Sequence, residues 1–275
     1  MEKQRIFIDD ILSNENMNRA YKQVIKNKGA AGIDGMECND LFSHLKVNGH
    51  QLRESIRNQS YKPMPVKRVE IPKDNGSKRK LGIPTVTDRM IQQAAAQVLT
   101  PIYERKFHTN SYGFRPGKSA QQAVLKAAEY MNEGYNWVVD IDLEKFFDTV
   151  EHDKMISILN KEIKDGKTLS LIRKFLASGV MVGEQMEETE IGTPQGNISP
   201  LLANILLNEL DWELESRGLR FVRYADDCII LVRSEKAATR VMKSVTKYIE
   251  NVLRLKVNKD KSRIGRPTEI QIGRA

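Results

Sequence analysis

Met17, Tyr21, Val24 and Ile25 fall on one face of a 3.6-residue period, and Gly29 stands where a helix C-cap belongs, so NENMNRAYKQVIKNKG predicts a helix. AAGIDGM is a Gly-Asp turn segment. Asp40 caps a helix opening on LFSHL, and HQLRESIRN predicts another. Then the period changes. Pro65 to Lys73 alternates apolar and charged positions, Asp74-Asn75-Gly76-Ser77 is a turn signal, and KRKLGIP returns as a second strand. The stretch 65–84 therefore predicts a β-hairpin with Lys and Arg on both arms. Helical patterning resumes in DRMIQQAAAQVLTPIYERKF and again after Ser119, where Ala120, Ala123, Val124, Ala127, Ala128 and Met131 share a face.

Beyond Gly134 the pattern becomes α+β. NWVVDID is a short apolar strand running into two aspartates, and helices are expected at 152–163 and 168–178. VMVGEQMEETEIG predicts a hairpin near 180–192. SPLLANILLNELDWELESRG predicts an amphipathic helix ending at Gly218, and LRFVRYADDCIILVR two strands flanking a tight YADD segment. A long helix, SEKAATRVMKSVTKYIENVLR, and a last strand and turn, KVNKDKSRI, close the chain. The order β-α-β-β-α-β is a split βαβ pattern, which predicts an antiparallel sheet backed by helices. The natural division is 1–135, mostly helical plus the basic hairpin, and 136–275, with the 180–192 hairpin joining the first part.

A chain of 275 residues with 40% hydrophobic and 29% charged content builds real cores and is not a disordered tail. Two cysteines, Cys38 and Cys228, exclude a disulfide framework and a four-cysteine zinc site, and fit a reducing cytoplasm. No apolar run approaches the ~20 residues of a membrane helix, and the N-terminus lacks a secretory core. The net charge of +8 is concentrated: Ser60–Lys80 and Lys247–Arg266 each hold seven basic residues against two acidic. Clustered cations either form solvated faces or meet a polyanion, nucleic acid first.

The acidic residues carry the chemistry. Asp226 and Asp227 are adjacent carboxylates between two apolar β runs, and such a pair calls for a cation once it is drawn out of water. Asp140 and Asp142 are spaced to share one face of their strand. If the two strands are neighbours, Asp142 and Asp226–Asp227 converge. Carboxylates without His or Cys partners suit Mg²⁺, which keeps waters and fills its shell with substrate phosphates. Two such ions activate a hydroxyl and stabilise a leaving pyrophosphate in line. Read apart, each pair is also compatible with a plain turn or a solvent-facing strand end.

VDIDLEKFFD, GTPQGNISPLLANILLNELD and RYADDCIILV resemble the successive palm motifs of reverse transcriptases, most closely those of group II intron-encoded proteins. NKGAAGIDG, KRKLGIPTVTDRMIQQA and SYGFRPGKSAQQA are similar to that family's fingers motifs. The resemblance covers roughly residues 15–265. It implies a right-hand polymerase fold with fingers in 1–135 and palm in 136–275. The chain stops at IQIGRA, before a primer grip and thumb, so a thumbless fingers–palm portion is expected.

By position in the family motifs, Asp142 and Asp226 resemble the shared metal ligands. Asp227 is a weaker ligand or a supporter, and Asp140 a supporting acid or a plain strand residue. Phe147, five residues after Asp142, resembles the aromatic gate against a ribose 2′-hydroxyl, with Phe146 in the core. Lys73 and Arg79 resemble the fingers pair that closes on a triphosphate. Gln195 and Gly196 resemble the loop beside the templating base. Lys261 resembles a lysine near the pyrophosphate, or is a solvated strand-end residue. Lys62, Lys67 and Arg68 are expected on RNA, and Arg115 is either an RNA contact or a strut.

The resemblance implies an RNA-directed DNA polymerase using two Mg²⁺ ions, dNTPs, an RNA template with DNA primer, and group II intron RNA. It leaves room for a homodimer and implies no membrane. The alternative is an RNA-binding maturase fragment without processive synthesis. A retron-type reverse transcriptase and an RNA-dependent RNA polymerase are further readings, and Phe147 argues against the second.

Overall fold

The computed structural model describes residues 7–72, 78–144, 146–182, 185–187, 192 and 196–269. In chain order the elements are α1 (Ile8–Ile11), α2 (Asn14–Asn27), a 3₁₀ turn at Cys38–Asp40, α3 (Leu41–Arg57), β1 (Val66–Pro72), β2 (Lys78–Ile83), α4 (Val86–Glu104) and α5 (Ala120–Asn132). There follow β3 (Trp137–Ile141), α6 (Phe146–Thr149), α7 (His152–Asn160), α8 (Gly166–Leu176), β4 (Val180–Val182), β5 (Gln185–Glu187) and α9 (Ser199–Ser216). The last are β6 (Arg220–Tyr224), β7 (Asp227–Val232), α10 (Glu235–Tyr248), which runs into a π-turn at Ile249–Leu253, and β8 (Arg263–Gly265). Among the described residues no helix is long and apolar enough to cross a membrane.

Two compact units result: 1–103 with 151–199, and 104–150 with 200–275. They do not follow a single cut at 135/136. α5 packs on the second unit's sheet, where Ala123, Ala127 and Tyr130 share a core with Val138, Val222 and Leu231. The segment 151–199 goes with the first unit because β4 pairs in parallel with β1, Val66 opposite Val180. The expected hairpin thus joins the basic one in a single sheet, β2-β1-β4-β5. Lys67 to Pro72 run antiparallel to Ile83 to Lys78, and the turn at 73–77 lies outside the described residues.

Buried polar groups tie the first unit together. The Asn16 amide donates to the Ile11 and Ala94 carbonyls, both at 2.9 Å, and accepts from Gln97 at 2.8 Å, fixing α2 on α4. Arg89 donates to the Ala30 carbonyl at 2.7 Å and so joins the AAGIDG turn to α4. Asp88, 1% exposed, accepts from the Tyr61 hydroxyl (2.5 Å), the Thr85 hydroxyl (2.6 Å) and the Met64 N–H (3.2 Å). Burial outweighs these donors and holds the Asp88 carboxyl above its ordinary range.

The helices differ from the sequence pattern in several details. α3 runs unbroken from Leu41 to Arg57 where the pattern predicts two helices, and the Asp40 side chain does not cap it. Lys28, at φ 46°, is the left-handed C-cap of α2 in place of Gly29, its N–H returning to the Ile25 carbonyl. On α5 the buried stripe is Ala123, Ala127 and Tyr130, while Val124 and Leu125 are 47% and 70% exposed. Tyr130 joins this core, its ring beside Val138 and Val222 and its hydroxyl accepting a bond from Asn110, while Met131 packs against the same cluster from a partly buried position. The N-caps at Ser13, Ser119, Asp165 and Ser234 each accept an N–H two or three positions into their helix.

Asp88→Ala should leave the buried Thr85 hydroxyl and the part-buried Tyr61 hydroxyl and Met64 N–H without their acceptor and lower thermal stability by a few kcal/mol, at about 1–3 kcal/mol per stranded buried group. Because the folded value is raised above the unfolded one, the native state gains from Asp88 protonation below the unfolded pKa, and that gain is lost as the pH rises through the folded pKa. The wild-type advantage over the Ala variant in calorimetric melts should therefore widen on acidification; an advantage that narrows toward acid contradicts this account.

Candidate active site

The second unit is built on the sheet β6-β7-β3-β8, antiparallel throughout. Val139 and Ile141 on β3 are at most 1% exposed and bury one face, which turns Asp140 to the other. Ile141 pairs with Cys228 and Tyr224 with Asp227, so the end of β3 and the β6–β7 turn lie side by side. The expected neighbourhood of Asp142 and the Asp226–Asp227 pair is formed.

Loss of hydration comes first, then the charges of Asp226, Asp142 and Asp140, in pushing the Asp227 carboxyl up to about 6, although part of the residue reaches solvent. Four aspartates thus share one electrostatic neighbourhood. Two cations temper it: Lys261 Nζ stands 3.8 Å from Asp142 Oδ2, and Arg263 Nε 3.5 Å from Asp140 Oδ2. Burial dominates in raising the Asp140 carboxyl, Arg263 opposes it, and Asp142 adds to it.

The backbone of Asp142 is pinned by the segment before β8. Its N–H donates to Ser262 Oγ at 3.1 Å, and its carbonyl accepts from the Asn258 N–H at 2.9 Å. Next along, the Glu144 N–H donates to the Lys256 carbonyl at 2.8 Å. Phe146 is 2% exposed, whereas Phe147 is half-buried with its ring edge-on to Phe146, centroids 5.2 Å apart. One of the adjacent phenylalanines is core and the other keeps part of its ring open to solvent.

The β6–β7 turn is strained and held. Ala225 sits at φ 56°, a left-handed conformation that costs a non-glycine residue about 1 kcal/mol. Arg223, fully buried, donates from Nη1 to the Ala225 carbonyl at 2.7 Å. Its other donors reach Asp211 Oδ1 (2.7 Å) and Oδ2 (2.6 Å), Asn204 Oδ1 (2.9 Å) and Ser111 Oγ (2.8 Å). All five guanidinium N–H groups are satisfied. From the other side Gly113 lies against the turn, where a Cβ would overlap the Ala225 nitrogen and stand 2.9 Å from its Cα. Asn204 donates to the Gly113 carbonyl at 2.9 Å and closes the ring of contacts.

This support escaped the sequence reading. An arginine inside the apolar run RFVRY and an aspartate inside LLANILLNELDW were its available signals. Arg115 is engaged as a strut: its side chain is 5% exposed, with Nε and Nη2 on Glu104 and Nη1 on the His108 and Ser111 carbonyls. Gly196, in the first unit, lets the chain pass the buried Gln92, whose Cδ a Cβ would meet at 2.8 Å. Lys73 and Gln195 lie outside the described residues. Arg79 is placed in β2 opposite Ile71. Lys62 and Lys67 are exposed and Arg68 half-buried on the first unit. Cys228 is buried, which pushes its thiol far up and makes it a packing residue.

Among the described residues no three His, Cys, Asp or Glu side chains stand close enough to form a ready-made metal cage. The donor set still suits a hard divalent ion. It consists of carboxylate oxygens that repel one another, and Mg²⁺ commonly binds through one or two carboxylates plus substrate phosphates and water.

Residues 71–272 match the family model described as reverse transcriptase (RNA-dependent DNA polymerase). The chain is 32% identical to Protein YkfC of Escherichia coli K12, over 92% of this chain and 77% of that protein. It is 40% identical to the group II intron-encoded protein LtrA of Lactococcus lactis subsp. cremoris, over 76% of this chain but only 35% of that one. Among solved structures it resembles a chain of a partial Cas6-RT-Cas1–Cas2 complex, with a TM-score of 0.55 and 27% identity, covering 89% of this chain and 42% of the other.

Asp211→Asn should cost about 3–5 kcal/mol, since it leaves the Arg223 charge buried without its counter-ion. The double change Asp211→Leu with Arg223→Met should recover most of that loss in a thermal melt. A single variant as stable as wild type would mean that the pair does not hold this unit together.

Proposed function

The chain belongs to the reverse transcriptase (RNA-dependent DNA polymerase) family, and from that membership we propose that it is a template-directed nucleotidyltransferase copying RNA into DNA in a group II intron setting. Reverse transcriptases generally use divalent metal ions. One observation carries the proposal: carboxylates from β3 and from the β6–β7 turn share one electrostatic neighbourhood at one end of an antiparallel sheet. We assign that sheet to the palm and the first unit, with its basic hairpin, to the fingers.

Asp142 and Asp226 would hold two Mg²⁺ ions, with Asp227 in support. When bound, such ions supply charge stabilisation at an attacking 3′-hydroxyl and a leaving pyrophosphate. The chain's own residues do the rest. The ring of Phe147 would exclude a ribose 2′-hydroxyl. Lys261, beside Asp142, would turn to the departing phosphates, and Arg79 with Lys73 would grip the triphosphate. Gln195 and Gly196 would border the templating base. Lys62, Lys67 and Arg68 would neutralise RNA phosphates. The partners are then intron RNA, an RNA template with DNA primer, and dNTPs, in the cytoplasm, with self-association into a homodimer open to the same chain.

Asp226→Ala should abolish primer extension on an RNA template while RNA affinity stays within about twofold, because the metals act in the transition state and phosphate contacts set ground-state affinity. Extension by this variant at the wild-type rate would sink the assignment. RNA binding with no extension by the unsubstituted chain would instead make it an RNA-binding maturase portion.

Phe147→Val should raise ribonucleotide over deoxyribonucleotide incorporation by about tenfold or more, equal to ~1.4 kcal/mol of relieved clash. Phe146→Val should leave sugar choice intact and cost a few kcal/mol of stability through a cavity. Steady-state incorporation of both nucleotide types reads the difference, and a reversed pattern would move the gate one residue back.

A further inference from the structure

At the end of the palm sheet opposite the aspartates, arginines gather over aromatic rings. Trp137 opens β3 and Arg220 opens β6, while Arg233 follows β7 and Arg266 follows β8. The strand registers place all four at this end, with Trp137 opposite Val232, Arg220 opposite Leu231 and Val138 opposite Gly265. Five strand residues separate it from the YADD turn, roughly 16 Å at ~3.3 Å per residue.

The cations lie on ring faces. The Arg220 guanidinium is 5.7 Å from the Tyr130 centroid and 5.9 Å from that of Tyr135. Arg233 is 4.7 Å from Tyr135, and Arg266 is 4.5 Å from Trp137. All three arginines are exposed, and none makes an ion pair among the described residues. Lys126, on the Tyr130 ring at 4.7 Å, is the neighbouring cation that does have a carboxylate, Glu129. A hydrogen bond from Arg233 leads in holding the Tyr135 hydroxyl below its usual range, with the charges of Arg233 and Arg220 adding to it.

Arg266 donates to the Asn136 carbonyl at 3.3 Å and Arg233 and Arg220 to the Tyr135 hydroxyl, but none of these neighbours carries a compensating charge, so three guanidiniums on one small surface repel one another and gain from a polyanion. Their stacking on rings fixes the planes of the forks in advance, which lowers the ordering cost of binding. A guanidinium plane also stacks on a base and forks a phosphate, and the half-buried rings of Tyr135 and Trp137 beside it offer their edges to further bases. An acidic protein would use the charge alone.

We propose that Arg220, Arg233 and Arg266, with Tyr135 and Trp137, form a docking surface for single-stranded RNA at the end of the sheet remote from the aspartates. The inference rests on the reading that this chain handles RNA, and adds a second RNA surface to it. An RNA segment held there is one that is not being copied, so the protein can retain an RNA while its active site works on another stretch.

The test is fluorescence anisotropy of a labelled single-stranded oligouridylate across a salt series. The triple variant Arg220→Gln, Arg233→Gln, Arg266→Gln should weaken binding at least about tenfold and flatten the slope of log affinity on log salt by about two, at ~0.7 per phosphate contact. The corresponding triple Lys variant should keep the slope and still lose affinity, because it keeps charge without the stacked fork. Melting temperature should be unchanged in both, and primer extension on a short template likewise. An unaltered affinity and slope in the Gln variant overturns the proposal. So does a Lys variant equal to wild type, or an arginine-dependent binding of polyglutamate that excludes RNA. A lack of primer extension by the unsubstituted chain counts against the polymerase reading alone and leaves the isotherms to judge this one.

Discussion

The buried Arg223–Asp211 pair is the interaction on which the geometry of the site depends. A fully buried guanidinium is tolerable only when its charge is matched and each N–H has an acceptor. Here both conditions are met, and the acceptors come from three places: α9, through Asp211 and Asn204; Ser111 before the α5 segment; and the turn carbonyl of Ala225. The pair therefore does more than neutralise itself. It converts a requirement for complete hydrogen bonding into fixed positions for a helix, a loop and a strained turn at once.

That rigidity matters because the neighbouring charges push the other way. The charges of Asp226, Asp142 and Asp140 raise the cost of ionising Asp227, and Lys261 and Arg263 stand only 3.8 Å from Asp142 and 3.5 Å from Asp140. Without external support, such a group would relax by separating. The left-handed Ala225, clasped between Arg223 and Gly113, and the Asp142 backbone, bound to Asn258 and Ser262, keep the carboxylates from moving apart. The fold thus stores an unfavourable charge arrangement that a divalent cation with a phosphate substrate would relieve.

Much of this was legible in the chain. Alternation from Pro65 to Lys73, the apolar strand ending in Asp140-Ile141-Asp142, and two β runs around YADD each report local backbone preference, and each element formed. The failures are failures of long-range information. Nothing local says that β4 pairs in parallel with β1, which moves 151–199 into the first unit. Nothing local distinguishes Arg115, spent on Glu104 and two carbonyls, from the exposed Arg220. Both are single arginines beside aromatic residues, and only the tertiary fold decides which guanidinium meets solvent. The helix stripe on α5 was displaced for a related reason: tyrosine is core-compatible only where its hydroxyl has a partner, and Asn110 supplies it from a distant point in the chain.

The interleaving of the two units bears on how the protein is made. Each unit is assembled from two stretches of chain, so neither can be excised as one continuous segment. During synthesis the first unit has all its parts once residue 199 has emerged. The second must wait, since β3 lies between β7 and β8, both of which come from the C-terminal stretch. Until then Val138, Val139 and Ile141 form a nascent strand with both edges unpaired, the sort of segment that associates with other chains or is taken up by chaperones. Translation speed between β3 and β8 is therefore a physical variable for this protein, setting how long this apolar strand stays unprotected.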